Sequence, residues 1–84
     1  MADLPVGAAI RRVRLHCKWS QRQLAVTAGI PRSYIHRVEH GQVTPGIENL
    51  VRIAEAFEIE PYKLLKLICK MRRQLESPTP EVTA

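Results

Sequence analysis

The chain has 84 residues, 45% of them hydrophobic and 25% charged, with thirteen Arg and Lys against eight Asp and Glu and a net charge of +5. That length predicts one domain with a modest core and no separate effector-binding domain. No apolar run approaches the roughly 20 residues that span a bilayer, and the N-terminus lacks the apolar stretch of a secretory leader, so a cytoplasmic protein is expected. Charge is distributed unevenly: seven Arg or Lys stand against one Asp from Met1 to Arg37, one against five acids from Val38 to Glu60, and five against two in the remainder.

Periodicity predicts five helices and no strands. The first runs from about Val6 to Cys17. Ser20 and Gln23 then form a capping box, with Trp19 placed to act as a hydrophobic staple on Leu24. The helix they open runs from Gln21 to Ala28, with Leu24, Ala25 and Ala28 as its apolar stripe, and Gly29 supplies the left-handed residue that ends it. Ala25 must be small where two helices cross steeply in a short motif. The third helix, Arg32 to Val38, turns Ile35 and Val38 inward and Arg32, Ser33, His36 and Arg37 outward. Pro45 and Gly46 announce the fourth, Ile47 to Phe57, striped by Leu50, Ile53, Ala54 and Phe57. Pro61, at a first-turn position, opens the fifth, which continues to about residue 76. From Ser77, with Pro78 and Pro80, apolar periodicity ceases and a disordered tail, 77–84, is expected.

The stretch WSQRQLAVTAGIPRSYIHRVEHG, residues 19–41, resembles the helix-turn-helix of the Cro and phage-repressor family, also called the xenobiotic-response-element type. Upstream, IRRVR from Ile10 is similar to that family's first helix. Downstream, TPGIENLVRIAEAFEIEPYKLL is similar to its fourth helix and the start of its fifth, so the likeness covers about two-thirds of the chain. Three positions depart from the pattern. Pro31 replaces a capping Ser or Thr, Lys18 stands where the first helix often ends on glycine, and Glu60 is a poor cap before Pro61. These bear on stability more than on the surface that would meet DNA.

The resemblance implies an all-α, five-helix lambda-repressor-like domain over residues 1–76, its motif at about 20–38 and its fifth helix extended. It implies a sequence-specific transcriptional regulator whose partner is double-stranded DNA. Carried residue by residue, it makes Arg32, Ser33, His36 and Arg37 readers of base edges in the major groove. Gln21, Arg22, Tyr34, His40 and Thr44 become phosphate contacts, Gln21 being aided by the positive end of its helix. Arginine's fork suits guanine O6 and N7, so a G in each half-site is expected. The basic excess falls in the same half of the chain. Arg11, Arg12 and Arg14 add to that field, although Arg14 is equally placed to pair with a carboxylate in the core.

Along the fifth helix the apolar pattern runs through Leu64, Leu67, Ile68, Met71 and Leu75, opposite Lys63, Lys66, Lys70 and Arg73. Three readings are open: packing against the first helix of its own domain, the seam of a twofold homodimer, or a face for a membrane surface. The dimer seam is favoured, because so long a stripe left uncovered would be an unusual patch, and no membrane partner is expected. Antitoxins and restriction–modification controllers share this fold, so a protein partner such as a toxin is an alternative to a simple dimeric repressor on an inverted repeat.

His36, Glu39 and His40 also spell H-x-x-E-H, the pattern of the inverted zinc peptidases. Those enzymes need a further ligand from a larger fold, whereas this helix is about two turns long and already commits Ile35 and Val38 to the core. No enzyme, cofactor or resident metal is therefore expected. Cys17 and Cys69 have no metal-site or redox spacing and read as two small hydrophobes.

Overall fold

The computed structural model describes residues 4–76. Among them are five helices and no strands: α1 (Val6–His16), α2 (Gln21–Ala28), α3 (Arg32–Glu39), α4 (Ile47–Ala56) and α5 (Pro61–Glu76). The tail expected at 77–84 lies outside the described residues. Helix α3 packs on both α1 and α2, α4 on α2 and α5, and α5 returns to α1. Each helix contributes its apolar stripe to one core: Ala9 and Ile10 from α1, Leu24 from α2, Ile35 from α3, Ile53 and Ala54 from α4, Leu64 and Ile68 from α5 are all fully buried.

The capping box forms as the sequence specifies. Ser20 Oγ accepts from the Gln23 N–H at 3.0 Å, and Gln23 Oε1 accepts from the Ser20 N–H at 2.7 Å. Trp19 packs against the core, and its ring meets Phe57 of the turn after α4 at a centroid distance of 5.6 Å.

Helices α1 to α4 end in the same way. A residue with positive φ turns the chain, and the next N–H reaches back to a carbonyl five residues earlier: Trp19 to Arg14, Ile30 to Ala25, Gln42 to Arg37 and Ile59 to Ala54, at 2.9 to 3.1 Å. Glycine supplies the turn at Gly29 and Gly41, but Lys18 (φ 62°) and Glu58 (φ 59°) supply the other two. A side chain in that conformation brings Cβ against the carbonyl and costs about 1 kcal/mol. Both residues are exposed and leave no packing behind. Lys18→Gly and Glu58→Gly should therefore each stabilise the protein by about 0.5–1 kcal/mol, read as a higher urea midpoint; unchanged midpoints would show that these turns carry no strain.

Gly7 has a different reason to be glycine. A Cβ built there would lie 2.0 Å from the carbonyl oxygen of Val38, so the start of α1 approaches the end of α3 more closely than any side chain permits.

Candidate nucleic-acid interface

Capping fixes where α2 begins and Gly29 fixes where it ends, so the turn of Gly29, Ile30 and Pro31 delivers α3 across it. Ile30 is buried and pins the turn. Ile35 and Val38, 0% and 1% exposed, face inward, which sends the other side of α3 to solvent: Arg32, Ser33, His36, Arg37 and His40 are all exposed. Pro31 precedes the helix without a side-chain cap, as its sequence requires. Its carbonyl nevertheless accepts from the N–H groups of Tyr34 and Ile35 at 3.1 and 3.2 Å.

The four expected base-reading residues come together. Arg32, Ser33, His36 and Arg37, with Gln21 from the first turn of α2, line one cleft of about 350 Å³. Arg22 opens onto a neighbouring hollow that it shares with Arg32 and the turn. Thr44 is exposed but lies elsewhere, lining a hollow with Gly7, Val38 and Gly41. Tyr34 is half-buried against the core. His40 stacks on His36, ring centres 4.1 Å apart.

Gln21 has a second task. Its Nε2 donates to Glu39 Oε1 at 3.0 Å, the last residue of α3. Glu39 is also gripped from α1. Arg14 Nε donates to Oε2 at 2.7 Å and Nη2 to Oε1 at 2.9 Å, while Nη1 donates to the carbonyl of Trp19 at 2.7 Å. With side chains 9% and 1% exposed, this is a two-pronged buried ion pair. One guanidinium thereby ties together α1, the turn before α2 and the end of α3. Of the two roles open to Arg14, the core pairing is the one observed.

The network also decides the peptidase-like pattern. In such a site the glutamate must reach the metal-bound water, but Glu39 is turned inward to Arg14 and is spent on structure. Glu39 and Gly7 are the positioning residues that the sequence reading missed. Gly7 left the faint signal of a glycine inside a helical pattern. Glu39 left none, because its partner lies 25 residues away.

The seam expected on α5 needs correction. Leu64 and Ile68 are 0% exposed within the single chain. They face α1 and α4, because these two positions sit over the centre of the bundle, and they cannot meet a second copy. Leu67 and Met71 are half-buried against the core, while Leu75, further along α5, is 71% exposed. Ile47 of α4 and Tyr62 and Leu65 of α5 are also open to solvent.

Two short helices crossing at a tight turn, the second with a polar, basic outer face, define a helix-turn-helix protein. The helix-turn-helix family HTH_3, of Cro/C1 type, matches residues 10–64, and the chain belongs to that family of DNA-binding regulators. It is 36% identical over 63 residues, 70% of this chain and 32% of the relative, to the uncharacterized HTH-type transcriptional regulator y4dL of Sinorhizobium fredii. It is 32% identical over 56 residues, 67% of this chain and 53% of the relative, to a hypothetical transcription factor of Neisseria meningitidis. The chain thus spans about a third and about half of these curated relatives.

Among solved structures it is similar to the restriction-modification controller protein C.AhdI of Aeromonas hydrophila, with a TM-score of 0.69 and 36% identity, covering 73% of this chain and 92% of that one. The hypothetical transcription factor NHTF from Neisseria superposes with a TM-score of 0.72 at 31% identity, over 87% and 85% of the two chains. The controller protein C.Esp1396I, at 24% identity and a TM-score of 0.73 over 80% and 86%, shares the fold.

Proposed function

We propose that this protein is a sequence-specific transcriptional regulator that binds an inverted-repeat operator as a homodimer and represses from it. The observation that carries the reading is the convergence of Gln21, Arg32, Ser33, His36 and Arg37 on one cleft of the exposed face of α3. Five side chains able to donate to DNA meet there without a carboxylate among them. In this reading Arg32, Ser33, His36 and Arg37 meet base edges, with Arg22, Tyr34, His40 and Thr44 toward the phosphates. Gln21 uses its remaining N–H for a phosphate while its other one holds Glu39. One recognition helix reads only a few base pairs, so specificity within a genome calls for a second copy. Twofold symmetry would place the recognition helices in successive major grooves about 34 Å apart.

The dimer seam belongs on apolar residues that the single chain leaves open: Ile47, Tyr62, Leu65 and Leu75, 74%, 63%, 47% and 71% exposed, with Leu67 and Met71 at their margin. A narrower reading, control of a restriction–modification system, is favoured by the likeness to C.AhdI, whose chain is covered almost end to end. No helix among the described residues is long and apolar enough to cross a membrane, in keeping with a cytoplasmic site of action.

Arg32→Ala should cost about 1–3 kcal/mol on the preferred site and relax specificity there, while Arg22→Ala should weaken all sequences alike. Titrations of matched and scrambled duplexes at fixed salt check this. Equal losses on both DNAs for Arg32→Ala would make it a phosphate contact. Affinity should also fall steeply with salt, as phosphate contacts release counterions; a flat response would exclude DNA as the partner.

A further inference from the structure

We propose that His36 and His40 form an exchangeable two-histidine site for a divalent transition-metal ion on the outer face of α3. They stand one helical turn apart on a shared face, both exposed, with ring centres 4.1 Å apart and planes inclined by 32°. Nδ1 of His40 lies 2.8 Å from the carbonyl oxygen of His36. A carbonyl oxygen only accepts, so Nδ1 carries the proton and the lone pair of Nε2 is left for a ligand. Donation of the second ring N–H to a backbone carbonyl is how proteins fix the tautomer of a metal-binding histidine and raise its basicity. Two nitrogens bound to one ion at about 2.0–2.1 Å sit about 3 Å apart, so a small rotation of rings already in contact suffices.

Imidazole donors select zinc, copper or nickel over magnesium and calcium. Glu39 is withheld by Arg14 and Gln21, and no cluster of three or more His, Cys, Asp or Glu suited to a metal occurs among the described residues. Water, or a group from another molecule, must complete the coordination, so the ion exchanges readily, unlike one in a closed four-ligand site. Arg32 and Arg37 share the cleft with His36, and their charge weakens the site further. A bound ion would hold the His36 imidazole away from the groove, so metal and specific DNA compete. The metal site stands by itself; the competition rests on the DNA-binding reading above.

Calorimetric titration of the untagged chain with Ni²⁺, after alkylation of the exposed Cys17 and Cys69, tests the site. One ion should bind per chain. His36→Ala and His40→Ala should each weaken it roughly 100-fold, since each removes one arm of the chelate, with far-ultraviolet circular dichroism unchanged. His16→Ala, on α1, should leave binding intact. Equal weakening by all three substitutions, or none by the first two, overturns the site. In a second arm, Ni²⁺ should lower affinity for the specific duplex in the wild type and not in His40→Ala. A wild type that binds Ni²⁺ but keeps its duplex affinity overturns the competition alone, and a protein that binds Ni²⁺ and no DNA overturns the regulator reading while leaving the site in place.

Discussion

Arg14→Ala should destabilise the protein by about 3–5 kcal/mol, the range for removing one partner of a buried ion pair. The cost comes less from the lost attraction than from what is left behind. Glu39 would remain a carboxylate with a side chain 1% exposed, helped only by the Gln21 amide, and the Trp19 carbonyl would lose its donor. A core this small rarely supplies more than about 3–5 kcal/mol in total, so the variant should be largely unfolded at room temperature. Thermal and urea melts followed by helicity at 222 nm check this. A variant that melts like the wild type would show that the network adds nothing.

Arg14→Lys should behave much like the alanine, because a single ammonium cannot present the fork that meets both Glu39 oxygens and the Trp19 carbonyl at once. The double change Arg14→Met with Glu39→Leu should recover part of the loss, since an apolar pair of similar volume removes the stranded charge. Recovery should be incomplete, as Trp19 and Gln21 still lack their partners. That pattern would separate a desolvation cost from a simple packing defect.

Local signals in this sequence are strong, and they are what sequence reading captured. The capping box at Ser20 and Gln23, the left-handed exit at Gly29 and the opening of α5 at Pro61 are each written within four residues, and each helix boundary lies within one residue of its expected place. The outward set on α3 was legible for the same reason: Ile35 and Val38 fix the inward face, and the rest follows from 3.6 residues per turn. Non-local features were not legible. Arg14 and Glu39 are 25 residues apart, and nothing in either neighbourhood names the other. Gly7 reveals its close contact only once α3 lies across it. On α5, periodicity placed Leu64, Ile68, Met71 and Leu75 on one face correctly, but a helical repeat does not say where along its length the cover ends.

Ile68→Glu should unfold the protein, not merely separate two copies. Ile68 is 0% exposed, and filling its place with a carboxylate forfeits about 1.5–3 kcal/mol of apolar burial. It also buries an unpaired ion at a further cost of several kcal/mol. The sum exceeds what a domain of this size holds in reserve. Leu65→Glu and Leu75→Glu lie on open parts of the same helix and should leave helicity and melting of the monomer near wild type, because surface changes away from buried features usually stay within about 0.5 kcal/mol. Sedimentation then separates core from seam. A wild type that dimerises, with Leu65→Glu or Leu75→Glu folded and monomeric, places the second copy against the residues of α5 that the single chain leaves open. A folded, soluble Ile68→Glu would contradict the packing of α5 on α1, since a buried carboxylate cannot be held in that position without displacing the helix.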